Sequence, residues 1–106
     1  MKSEFCIILI TCANHQEAQV ISSALLEKHL AACIQASQIE SSYWWQGTIE
    51  MAKETRLMIK TRLDLFDEIA VTINKLSSYE NPEIIALPII QAATEYLDWV
   101  DATIKA

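Results

Sequence analysis

Three cysteines, two histidines and a set of carboxylates are the residues of this 106-residue chain with most chemistry to offer. Cys6, Cys12 and Cys33 are odd in number and show no C-x-x-C spacing, so neither a disulfide framework nor a structural zinc site is indicated. A thiolate is a soft donor suited to Cu(I), and Cys33, at a junction between helical and extended segments, is the first candidate metal ligand. One sulfur does not satisfy a copper ion. Glu83 is the second candidate and Glu54 a third, with further donors required from neighbouring segments or subunits, although carboxylates suit harder ions. Cys6 lies in an apolar run and reads as core. Cys12 and His15 flank a strand end and a helix start, where a surface copper or zinc contact competes with plain loop residues. His29 falls on the polar side of the first helix and reads as solvated.

A second constellation is Tyr79-Glu80-Asn81-Pro82-Glu83. Pro82 stiffens the loop, so Tyr79, Glu80 and Glu83 are candidate ligand contacts, against the alternative that Tyr79 and Glu83 bond backbone groups and fix the turn. Glu54 and Lys60 share one face of a strand, which makes them an ion pair or the polar lining of a cleft for a small anionic ligand between subunits. There is no nucleophile–base pair, Gly-rich phosphate loop or paired-acid arrangement in the sequence, so the expectation is a non-enzyme with no obligatory cofactor.

The elements that must hold these residues follow from periodicity. Glu4 to Thr11 is a continuous apolar, β-branched run, the pattern of a central strand. Asn14 followed by Glu17 has capping-box spacing, and Ala18, Ile21, Leu25, Leu26 and Leu30 form one helical stripe. Cys33 to Trp45 reads as a long strand, Gln46-Gly47 as a hairpin turn around the only glycine, and the segment through Ile59 as a second long strand. Lys53 falls on the apolar side there, which suggests a bulge or an exposed tip. Asp64 is placed to cap a helix with the stripe Phe66, Ile69, Ala70, Ile73 and Leu76. Ile84 to Ile90 is a last strand, with Pro88 marking an edge or a bulge. A short helix carries Ala93, Tyr96, Leu97, Val100 and Ile104.

The order strand, helix, strand, strand, helix, strand with an appended helix is that of a split βαβ, a ferredoxin-like α+β two-layer sandwich in one domain over 1–106. Its central hairpin is longer than a sheet needs, with about a dozen residues on each side of the turn where a mean strand has about five or six. Hydrophobic residues are 52% of the chain and charged residues 21%, a surplus of apolar surface for so small a domain. The economical cover is another copy of the same hairpin. Trp44 and Trp45, being consecutive, face opposite sides, so at most one enters its own core and the other packs in an oligomer interface with Tyr43. A net charge of −6 argues against nucleic-acid binding. No run spans a bilayer, and the start Met1-Lys2-Ser3-Glu4 with its short apolar stretch does not read as a signal peptide, so no membrane contact and a cytoplasmic location are expected.

Several segments in order resemble the CutA family of divalent-cation tolerance proteins. They are Leu30-Ala31-Ala32-Cys33, Ser41 to Gly47 (SSYWWQG), Glu54 with Ile59-Lys60-Thr61, Tyr79-Glu80-Asn81-Pro82-Glu83, and Tyr96-Leu97-Asp98-Trp99. The resemblance implies a ferredoxin-like subunit akin to the PII signalling proteins, a homotrimer assembled through the long hairpins, and a link to copper or another divalent cation in response to metal ions. It leaves any downstream protein partner unidentified. The alternatives are a PII-like module that binds a small metabolite between subunits and a stable scaffold without ligand. Many relatives carry a histidine immediately before the Ser-Tyr of the tyrosine–glutamate motif, where this chain has Ser77; a metal site that used this histidine would be lost here.

Overall fold

Alternation along Phe5–Cys12 (β1), with every even position buried and every odd one half-buried, makes this strand the interior of a sheet with one closed face. In the computed structural model, which describes residues 4–104, the remaining elements are α1 (His15–Glu27), β2 (Cys33–Trp45), β3 (Thr48–Arg62), a 3-10 turn (Leu63–Leu65), α2 (Phe66–Leu76), β4 (Ile84–Pro88) and α3 (Thr94–Thr103). Met1, Lys2 and Ser3, on which the reading of the leader rests, lie outside the described residues. The four strands form one antiparallel sheet in the order β2-β3-β1-β4, the ferredoxin-like α+β sandwich expected from the sequence. Pro88 ends β4 at the sheet edge, where its missing donor is tolerated, and the strand stops two residues short of Ile90.

The core lies between the sheet and the first two helices. Cys6, Ile8, Ile10 and Cys12 from β1 and Leu57 and Ile59 from β3 cluster with Ala18, Ile21 and Leu25 of α1 and Ile69 and Ile73 of α2. Fully burying each such Ile or Leu contributes about 1.5–3 kcal/mol. Val100 and Ile104 of α3 join the same cluster, and Arg62 ties α3 to the end of β3 through Asp101 at 3.0 Å while also holding Asp64 at 3.0 Å. The face of the sheet away from α1 and α2 carries Ile7, Leu9, Met58, Ile85 and Leu87, none fully buried.

Helix ends differ from the sequence expectation in instructive ways. The Asn14 side chain accepts from the Glu17 N–H at 2.9 Å as capping requires, but the returning Glu17 carboxylate accepts from the Ala13 N–H at 3.0 Å rather than from Asn14. At the other end of α1, His29 adopts φ 56°, with its N–H on the Leu26 carbonyl and the Leu30 N–H on the Leu25 carbonyl, both at 3.0 Å. This is a Schellman motif, and the buried Leu25 and Leu30 supply its apolar contact. His29 is exposed but not idle, since its Nδ1–H donates to the Thr103 carbonyl and docks α3. Asp64 caps nothing; it belongs to the 3-10 turn and pairs with Arg62, and the N-terminus of α2 has no side-chain cap. Leu26 is on the outer face of α1, 42% exposed, because the stripe through Ala18, Ile21 and Leu25 already fills the seam.

Beyond the sheet the hairpin continues alone. β1 pairs with β3 only as far as Cys12 opposite Thr55, so Ile39–Trp45 and Thr48–Glu54 have only each other as strand partners, in an arm about 20 Å long. Register runs unbroken from Cys33 opposite Lys60 to Trp45 opposite Thr48, and Lys53 therefore marks no bulge; it is exposed on the arm, on the same strand face as Ile49 and Met51. Gln46 at φ 49° and Gly47 at φ 84° make the two-residue turn with both φ positive. No atom lies near a Cβ built on Gly47, so the backbone angle alone selects glycine. The arm lengthens the molecule to 44 × 28 × 22 Å and lifts its radius of gyration to 14.3 Å, against about 13 Å for a domain of this size.

Candidate functional site

Where β1 stops, the strand β3 beside it carries Glu54 with no β1 neighbour, and the segment from Ser77 to Glu83 connecting α2 to β4 closes that gap. Tyr79 donates its O–H to Glu54 Oε2, and Glu54 is only 6% exposed. Two further bonds hold the segment: Ser77 Oγ accepts from the Tyr79 N–H at 3.1 Å, and Glu17 Oε1 accepts from the Ser78 N–H at 2.9 Å. Glu17 thus fastens the start of α1 and the connecting segment with one carboxylate. Partial burial pushes its pKa up, but the hydrogen bonds from Ser78 and the Ala13 backbone more than offset this, and the net value lies below the usual carboxylate range. Burial, then the adjacent Glu54 carboxylate, drives the Tyr79 phenol well above its ordinary range, so it stays a donor. Cys12, fully buried beside this seam, is pushed up to about 11 by burial, Glu17 and Glu54.

The residues singled out in the sequence separate into groups. Glu54 and Tyr79 are joined, and Ser77 shapes their turn. Glu54 and Lys60 share a face but are not an ion pair: Lys60 places its Nζ 5.6 Å from the Tyr96 ring centroid, a cation–π contact. Cys33 is half-buried directly across from Lys60 at the outer edge of the sheet. Glu80 and Glu83 are exposed. Because β2 and β4 are the two edges, Cys33 and Glu83 stand about 20 Å apart by strand spacing and rise, and one chain cannot bring both to one ion. Among the described residues no group of three or more His, Cys, Asp or Glu side chains is arranged to hold a metal ion. The described residues of a single chain do not by themselves fit a metal centre. Cys12 and His15 do not form one either, since Cys12 is turned into the core while His15 is exposed at the opening of α1.

The arm holds the aromatics. Trp44 is 72% and Trp45 41% exposed, with Tyr43 at 40%, so neither tryptophan enters the core: both stand beyond the point where β1 and the helices end. Ile49 and Met51 on the facing strand are 63% and 80% exposed. Sequence reading missed Arg56, a half-buried residue of β3 whose Nε is buried with no hydrogen-bond partner, and the second role of Glu17. Its capping spacing was the visible signal for Glu17; for Arg56 there was none.

No helix among the described residues is long and apolar enough to cross a membrane. The family model for the CutA1 divalent ion tolerance protein matches residues 6–103. The divalent-cation tolerance protein CutA of Archaeoglobus fulgidus is 42% identical over 98 residues, which is 92% of this chain and 96% of that one. The solved structure of that organism's protein, described as periplasmic, superposes with a TM-score of 0.94 at 40% identity, covering 95% of this chain and 99% of its own. CutA1 from the psychrotrophic bacterium Shewanella sp. SIB1 superposes with a TM-score of 0.95 at 34% identity over 100% of both chains. A match over nearly the whole length, with the same α+β layout, places the assignment beyond single motifs: the chain belongs to the CutA1 divalent ion tolerance family.

Proposed function

We propose that this protein works as a non-catalytic cytoplasmic homotrimer that binds copper or another divalent metal ion at sites completed between subunits, in the response to metal ions. One observation carries the assembly: a two-stranded arm outside the sheet that presents Tyr43, Trp44, Trp45, Ile49 and Met51 to solvent in the single chain. Apolar surface of this kind needs a cover, and a closed ring of identical arms supplies one without exposing new edges. The half-buried apolar residues on the open face of the sheet favour the same reading.

The metal part rests on Cys33. It is the one cysteine not buried in the core, and it stands at a sheet edge, where ligands from another copy have access. Cys6 and Cys12 are poor ligands by comparison, both pushed up to about 11, mainly by burial. Family membership supports a role with divalent cations. The cytoplasmic placement is favoured by free thiols in place of disulfides. Native mass spectrometry of fresh protein should give a trimer with retained metal. Titration with Cu(I), Cu(II) and Zn should show a site tighter than micromolar that Cys33→Ala abolishes; unchanged binding in that variant would rule out Cys33.

A further inference from the structure

Arg56 leaves one buried polar atom unsatisfied among the described residues. Its Nε is buried, and it is the one buried side-chain nitrogen or oxygen among the described residues left without a hydrogen bond. Arginine stays charged at any physiological pH, so burial without a partner is costly and the group cannot escape by losing its proton. The neighbouring charges on this face are already engaged. Lys60 lies over the Tyr96 ring, Arg62 holds Asp64 and Asp101, and Glu54, two residues along the same strand, takes its bond from Tyr79.

The setting is polar and of mixed charge, with Glu54 two residues away on the same face and Lys60 and Arg62 further along it. Arg56 stands on the open face of the sheet with Thr11 directly opposite on β1 and Ser37 directly opposite on β2, so a hydroxyl-bearing side chain flanks it on each side. Arg56, Lys60 and Arg62 put three of the eight basic residues on one face of one strand, in a chain of net charge −6. A planar guanidinium fork between two hydroxyls matches an oxyanion, a carboxylate or a phosphate, which accepts from all three.

We infer that Arg56, with Thr11 and Ser37, is an oxyanion-binding position whose ligand comes from outside the chain. The ligand is either a small free carboxylate or phosphate or a side-chain carboxylate of another copy. The position is separate from Cys33 and independent of metal binding.

The full-length protein in a chloride-only buffer decides between the sources. Inorganic phosphate and citrate are titrated by calorimetry and thermal shift, and sedimentation equilibrium is run on wild type, Arg56→Met and Arg56→Lys. A free anion predicts a rise in wild-type Tm of about 2–6 °C at saturation, lost in Arg56→Met and reduced in Arg56→Lys. A carboxylate from another copy predicts no response to added anion, together with weakened assembly of Arg56→Met and an intermediate effect of Arg56→Lys. Should Arg56→Met fail to fold, the wild-type titration and Arg56→Lys are read in the same way. An anion response that survives both substitutions overturns the inference, and so does wild-type-like assembly of the variants with no anion response in any of the proteins.

Discussion

Glu17 is the residue on which the candidate site closes, because a single carboxylate accepts from the Ala13 and Ser78 backbones and so fastens α1 to the α2–β4 connection. Its pKa is lowered in the folded chain, since the bonds from Ser78 and Ala13 outweigh partial burial. The ionised form is therefore favoured by folding. Its contribution is fully present above the ordinary glutamate value of about 4.3 and is lost as pH falls through the lower folded value. Melting temperatures taken from pH 6 down to pH 3 should show wild type ahead of Glu17→Gln at the top of this range, with the gap closing in acid; a constant gap would mean that charge is not what Glu17 contributes. A second expectation concerns the thiols. With pKa values near 11 and full burial, Cys6 and Cys12 hold little thiolate at pH 8, so alkylation of the native protein followed by peptide mass analysis should label Cys33 first. Faster labelling of Cys12 would show that the Ser77–Tyr79 segment opens readily.

Among the elements, the two tight reversals depend on positive φ, and they are filled differently. Gly47 occupies φ 84° with open space around it, so Gly47→Ala tests backbone strain alone and should cost about 1–2 kcal/mol in urea or thermal unfolding. Gln46 holds φ 49° without glycine's freedom, and Gln46→Asn, a residue better suited to that region, should recover a few tenths of that amount. If both substitutions are neutral, the turn is not rigid in solution. The hairpin, both helical stripes and the edge position of the last strand were legible in the sequence because each is local: a period of two or 3.6, a Gly at the turn, a proline at the rim. What was not legible was where the elements end against one another. Tyr79 and Glu54 were both visible as candidates, yet their bond exists only because β1 stops at Cys12 and leaves a gap beside β3, a fact of register. His29 looked like an exposed polar residue of the helix, because its side-chain bond to Thr103 depends on a helix 74 residues further on. Arg56 carried no signal in the sequence. Its unsatisfied Nε is a property of the packed face, which no spacing encodes.

At the scale of the whole molecule, the arm and the domain are separable in energy. The core cluster contains no residue between Ala32 and Leu57, so the outer hairpin contributes almost nothing to the interior of its own chain. Exposed positions away from caps and buried networks usually change stability by within about 0.5 kcal/mol. Trp44 and Ile49 face each other across the arm, 72% and 63% exposed. Replacing both, as Trp44→Asp with Ile49→Asp, should leave the fold of a single chain intact, and any large effect must arise from what covers these side chains. The expected outcome is a wild-type circular dichroism spectrum, a shift from trimer to monomer in sedimentation at micromolar concentration, and a lower melting temperature. Wild type should melt higher as concentration rises, because assembly is linked to folding, whereas the double variant should melt at the same temperature at every concentration. A double variant that remains trimeric would move the interface off the arm and onto the open face of the sheet, where Ile85 and Leu87 are the next apolar residues without cover.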